Sequence, residues 1–221
     1  MDIRRSPDPE ALATHAAAYI AKRINDSVAA SGFCRLALAG GKTPEATYVR
    51  LREMKINWQQ IEVWFGDERC LPIGDPERND TMARQALLDH VPIPKDQIHP
   101  IPAELGAMEA AEIYSKLLNH RPPLDLILLG LGEDGHTASI FPGQEIIEAS
   151  SAAVAIFDAP KPPPERVSLS LNCIREAGER IILAAGSGKQ EALRRIQTGE
   201  PLPAAMVGKA IWFVDEAAIS S

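Results

Sequence analysis

Short apolar runs alternate along this chain with longer stretches of helical period. Residues 9–30 place apolar side chains, mostly alanine, at helical spacing and stop at Gly32, which predicts a first helix. Residues 33–39 form a compact apolar run broken by Gly40-Gly41 and read as a strand. A helix is predicted near Pro44, with Thr43 as its N-cap and proline at its first position. Residues 61–65 are the next strand and open into the charged segment Gly66-Asp67-Glu68-Arg69; a polar loop then runs to Asn79. Helices follow over 81–89 and 104–120. Residues 124–129 are continuously apolar, as expected of a central strand covered on both faces. Further strands are predicted over 152–157, 167–171, 180–185 and 210–214, with a helix between 189 and 197. Strands alternating with helices predict an α/β fold. It is read as a single domain over 1–221, a mostly parallel Rossmann-like sheet with helices on both faces. The proline-rich segment 158–164 is a stiff connector.

Composition narrows the class of partner. The formal net charge of −7 over 221 residues argues against nucleic acid. No apolar stretch approaches the ~20 residues of a membrane span, and no apolar segment follows Arg4-Arg5 to make a signal peptide. Cys34, Cys70 and Cys173 show neither metal nor redox spacing and read as reduced thiols of a cytoplasmic protein. No histidine pair has metal-ligand spacing, and no Gly-x-Ser-x-Gly elbow is present.

Candidate chemistry gathers where strands end in glycine. Ala39-Gly40-Gly41-Lys42-Thr43-Pro44 joins a strand to a helix start, where free N–H groups and the helix dipole suit an anion. Phe65-Gly66-Asp67-Glu68-Arg69 offers carboxylates and a cation, and Gly186-Ser187-Gly188-Lys189 a lysine near a helix start. Each alone is equally served by an ordinary turn or a solvated loop. In a parallel sheet, however, all three lie at the same edge. The most informative segment runs from Leu126 to Thr137, an apolar strand that enters Gly130-Leu131-Gly132-Glu133-Asp134-Gly135-His136. It sets a histidine, suited to proton transfer near neutral pH, at the carboxyl end of a buried strand. Gly130-x-Gly132-x-x-Gly135 also matches a dinucleotide-binding pattern. Against that reading, Glu133 and Asp134 would repel a pyrophosphate and Pro142-Gly143 would break the following helix.

Taken together, these motifs resemble the glucosamine-6-phosphate isomerase/6-phosphogluconolactonase family. The resemblance rests on residues 38–44, 64–69 and 130–142, with looser matches at 166–170 and 186–189. Within the family the lactonase branch is favoured. The deaminase pattern carries Asn-Glu-Pro after its Asp-Gly-His, where this chain has Ile140-Phe141-Pro142, and usually an aromatic where Arg69 stands. The resemblance implies hydrolysis of 6-phospho-D-glucono-1,5-lactone, with a sugar-phosphate deaminase and a non-catalytic sugar-phosphate sensor as alternatives. It implies His136 as general base, with Asp134 or Asp67 orienting the imidazole or the sugar hydroxyls. Arg69 is assigned to the oxyanion or to the phosphate. Gly40, Gly41, Lys42, Thr43, Arg166 and Lys189 are assigned to phosphate binding. Arg166 is equally readable as a loop-end arginine capping a carbonyl. No metal or cofactor is implied, because the lactone is already activated. The expected partner is a small phosphosugar lactone, met by a monomer or weak homodimer.

Overall fold

The computed structural model describes residues 1–144 and 149–219. Six parallel strands form the main sheet in the order β1-β9-β8-β5-β2-β3. Their bounds are β1 Asp2–Ser6, β2 Cys34–Leu38, β3 Ile61–Phe65, β5 Leu126–Gly130, β8 Glu179–Ala184 and β9 Ile211–Asp215. Every residue of β3, and four of the five in β5, are buried. Burial of consecutive strand residues means that both faces are covered, as their apolar runs predicted. Helix α1 (Pro9–Ser31) packs on β1, β2 and β9 and against α2 (Lys42–Leu51). It starts where the Asp8 carboxylate accepts from the N–H of Ala11 (2.8 Å) and ends at Gly32, whose φ of 81° suits glycine.

Two strands expected in the main sheet, and a third that was not predicted as a strand, form a sheet of their own. β4 (Asp67–Arg69), β7 (Arg166–Leu169) and β6 (Ala153–Ile156) form a separate antiparallel sheet. The charged segment after β3 is therefore a strand rather than a loop. Helix α4 (Ala107–Asn119) backs this small sheet. The predicted 104–120 helix is shorter because Gly106, at φ 90°, separates it from a single tight turn at Ala103–Leu105. Helix α3 spans Asn79–Ala86, two residues ahead of its predicted start. Helix α2 begins at Lys42 with Gly41 in the cap position and no side-chain cap, so Thr43 is not an N-cap. Helices α5 (Leu171–Glu176), α6 (Gln190–Gln197), α7 (Pro203–Met206) and α8 (Glu216–Ile219) complete the described chain.

Between β2 and β5 the order of connection reverses: the chain leaves β2 toward β3 on one side and β5 toward β8 on the other. Open α/β sheets bind ligands outside the carboxyl ends of such a pair. Among the described residues no helix is long and apolar enough to cross a membrane.

Candidate active site

Two buried tyrosines fix the strand ends that frame this crevice. Tyr48 of α2 donates its hydroxyl to Ala39 O and accepts from Ala39 N, both at 2.8 Å. Tyr114 of α4 accepts from Phe65 N (2.9 Å) at the end of β3 and donates to Phe65 O (3.3 Å). Each supplies partners to buried backbone groups at the carboxyl end of a strand. The crevice between them is a cleft of about 320 Å³. Its walls include Gly40, Gly41, Asp67, Arg69, Asn79, Gly130, Gly132, Glu133, His136, Ala138, Lys161, Arg166 and Lys189.

His136 sits in a compact turn after β5. Gly132 N–H donates to His136 O (2.8 Å), and Gly135 N–H to Gly132 O (3.0 Å). Asp134 Oδ1 accepts from the backbone N–H of His136 (3.1 Å) and meets its ring Nδ1 at 2.6 Å. Burial tends to raise the Asp134 carboxyl. The ring and backbone hydrogen bonds from His136 and the attraction of its charge outweigh that, and hold it near 2. An ionised carboxylate only accepts, so Nδ1 carries the hydrogen, and in the neutral ring Nε2 is the nitrogen with the lone pair. Phe141 packs against the ring, 4.6 Å between centroids, and Thr137 Oγ1 ties the turn to Gly130 O at 2.8 Å.

Asp67 has other partners. Its Oδ2 accepts from Ser139 Oγ (2.5 Å) and its Oδ1 from Asn79 Nδ2 (3.1 Å). It thus braces the far side of the histidine turn, while Asp134 holds the ring. Behind it, fully buried Glu68 accepts from Asn79 N, Asp80 N and Arg69 N at 2.7, 2.8 and 2.9 Å. Burial pushes the Glu68 carboxyl up to about 7, against the pull of those three donors. Buried Arg78 closes the cluster, donating to Asp80 (2.8 Å), Glu104 (3.0 Å) and the carbonyls of Leu71 and Ile101.

The cations divide by partner. Arg69 and Arg166 face each other across β4 and β7. Arg69 Nη1 donates to Glu77 O, and its Nε is buried without a hydrogen-bond partner among the described residues. Arg166 donates Nη2 to Lys161 O (2.8 Å) and Nε to Pro163 O (3.1 Å), so it does cap carbonyls of the proline-rich connector. Half-buried Lys189 is held below the usual lysine range by burial, against the pull of Glu133 and with a smaller push from Lys161. Lys42 and Thr43 lie in the first turn of α2, outside the residues lining the cleft. The structure therefore gathers Gly40, Gly41, Asp67, Arg69, His136, Arg166 and Lys189 in one cleft, with Asp134 behind His136. Asn79 and Lys161 join them without having been singled out for a role, and buried Ser139 stands behind Asp67. Asn79 opens α3, and the proline run after Lys161 was the only signal for that residue. Among the described residues, no three His, Cys, Asp or Glu side chains are grouped to hold a metal ion.

The family described as glucosamine-6-phosphate isomerases/6-phosphogluconolactonase matches residues 7–214. The chain belongs to that family. A 6-phosphogluconolactonase of Streptomyces coelicolor is 37% identical over 238 residues, covering 96% of this chain and 91% of its own. Among solved structures, the 6-phosphogluconolactonase of Trypanosoma brucei superposes with a TM-score of 0.90 at 29% identity, over 98% of this chain and 97% of its own. That of Thermotoga maritima superposes at 0.91 and 27%, over 97% and 99%. Shared fold over nearly the whole length extends the resemblance beyond the short motifs on which it rested.

Proposed function

We propose that this cleft hydrolyses 6-phospho-D-glucono-1,5-lactone to 6-phosphogluconate, with His136 as general base. Similarity to 6-phosphogluconolactonases over nearly the whole chain supports the substrate. One observation carries the mechanism: Asp134 holds Nδ1 of His136, leaving Nε2 as the basic nitrogen of a ring that lines a cleft walled by cations. Water gives its proton to Nε2 as its oxygen attacks C1. The carbonyl electrons move to the oxyanion, then return as the C1–O5 bond breaks. The protonated imidazole delivers its proton to the leaving ring oxygen, so one histidine serves both steps. Asp134 fixes the tautomer and stabilises the transient imidazolium. Arg69, which lines the cleft, offers its guanidinium to the oxyanion or to a phosphate oxygen; a well-placed oxyanion donor is worth ~3 kcal/mol. Asp67 positions the histidine turn through Ser139. The phosphate is assigned to Lys189, the Gly40-Gly41 backbone and the charge of Arg166, with Lys42 and Thr43 contributing only through the start of α2.

The test is the lifetime of the lactone, generated in situ and followed by NMR. Wild type is expected to shorten it, and His136→Ala to lower kcat at least ~100-fold while 6-phosphogluconate still binds. Near-normal turnover by the variant would remove His136 as the base. The free thiols of Cys34, Cys70 and Cys173 support a reducing, cytoplasmic setting. A monomer or weak homodimer without affinity for nucleic acid is expected, checked by light scattering and a filter-binding assay.

A further inference from the structure

The connector between β6 and β7 has no part in the mechanism above, yet one of its residues lines the cleft. We propose that Lys161 is a substrate-binding residue, which with Lys189 clamps the phosphate of the lactone and sets the preference for a phosphorylated ring. The proposal rests on the reading that the phosphate lies on the Lys189 side of the cleft.

Its basis is geometric. Lys161, Pro162, Arg166 and Lys189 line the cleft together. A lysine on a loop is ordinarily a mobile, solvated charge, but this one stands on a fixed base. Its carbonyl accepts from Arg166 Nη2 (2.8 Å), Pro163 O accepts from Arg166 Nε (3.1 Å), and Ala159 N–H closes the loop on Pro164 O at 3.1 Å. Three consecutive prolines restrict the backbone further. The connector's acidic residues are directed elsewhere: Asp158 accepts from Gln144 (3.2 Å), and Glu165 lines a different hollow beside Cys70. Lys161 is thus the charge that the connector brings to the cleft. Its neighbour there is another cation: the Lys161 ammonium adds to the burial that lowers Lys189, while the carboxylates of Glu133 and Asp134 pull the other way and offset part of it. Like charges held together on fixed elements are unfavourable until an anion lies between them. A phosphate monoester carries close to two negative charges near neutral pH, so a second lysine matches the charge that one leaves over.

The experiment compares Lys161→Ala, Lys161→Arg and Lys189→Ala on 6-phosphogluconolactone and on unphosphorylated 1,5-gluconolactone. Lys161→Ala is expected to raise KM for the phosphorylated lactone by roughly tenfold, the low end for a charge-assisted contact. Its kcat should be nearly unchanged, its kinetics on the unphosphorylated lactone unaffected, and Lys161→Arg should recover most of the loss. If Lys189→Ala alone raises KM, the phosphate reading stands and the role of Lys161 is overturned. If neither variant alters the preference for the phosphorylated lactone, the phosphate reading fails and the proposal falls with it. Equal losses on both lactones would show that Lys161 acts through the shape of the loop, which also overturns the proposal.

Discussion

Substituting Gly132 by alanine tests the catalytic pair without removing either member. A Cβ at position 132 would stand 2.6 Å from Asp134 Oδ1 and closer still to Nδ1 and Cε1 of His136. Ordinary van der Waals contact begins near 3.4 Å, so the carboxylate must retreat by about 0.8 Å and the ring by more. The 2.6 Å bond between them has no room to survive that movement. A misplacement of ~1 Å at a reacting group costs on the order of 100-fold in rate, and loss of the Nδ1 partner also frees the wrong tautomer. Gly132 is not among the glycines at positive φ, so the backbone itself accepts alanine. The lower chain entropy of the unfolded state should offset part of any stability lost, by ~0.5 kcal/mol. The expected outcome is a kcat at least ~100-fold lower with a melting temperature within a few degrees of wild type. Lactone decay followed by NMR and thermal unfolding followed by circular dichroism measure the two. A variant that folds and keeps kcat within about threefold would refute the view that the Asp134–His136 geometry drives the reaction.

Three further expectations concern stability. Tyr48→Phe leaves the buried N–H and C=O of Ala39 without their partner, at a cost of ~2 kcal/mol and a fall in Tm of roughly 4–8 °C; an unchanged Tm would mean that these groups find other partners. Asp134, lowered from 3.8 to about 2, stabilises the fold above its unfolded value and loses that contribution as pH falls through 2. The shift is nominally ~2.5 kcal/mol, but with the side chain 43% exposed, solvent screening leaves ~1 kcal/mol. Wild type should therefore exceed Asp134→Asn in urea stability at pH 6 and match it near pH 2, and equality at pH 6 would contradict this. Glu68, raised from 4.5 to about 7, has the opposite sign: stability is full below 4.5 and is lost as pH rises through 7. Relative to Glu68→Gln, wild type should lose ~2 kcal/mol between pH 5 and pH 8, whereas parallel curves would show that Glu68 stays ionised throughout.

Much of the architecture was legible because period and composition carried it. The strand at Ile61–Phe65 was predicted with its observed bounds, since five residues buried on both faces leave an unbroken apolar run. Asp67–Arg69 has no such run. It is a strand because β7, almost a hundred residues later, pairs with it, and local sequence holds no trace of that partner. The same long-range choice took β6 and β7 out of the parallel sheet. Asp2–Ser6, mostly polar and at the sheet edge, lacked both alternation and an apolar run. At the site, sequence could not choose between Asp134 and Asp67 as the partner of His136. The choice depends on Asn79 and Ser139, which occupy the Asp67 carboxylate from other segments. Lys42 and Thr43 left the cleft because α2 starts at Lys42, ahead of the predicted cap.

The glycine pattern of the central turn shows why a sequence match needs its physical cause. Gly130-x-Gly132-x-x-Gly135 satisfies the spacing of a dinucleotide-binding turn, in which glycines admit a pyrophosphate and close helix packing. Here two of the three have a reason of another kind, while at Gly130 a Cβ would meet only Gly40 O, at an ordinary contact distance of 4.0 Å. Gly132 leaves the space that the Asp134–His136 pair fills. Gly135 combines a φ of 91° with the side chain of Leu202, whose Cδ1 would meet a Cβ at 2.5 Å. Asp134 and Glu133, the residues that argued against a pyrophosphate, have other places: Asp134 on the histidine ring, and Glu133 near Gly188 at the Lys189 junction. Gly132 and Gly135 are therefore accounted for by the catalytic pair and by local packing, without a nucleotide.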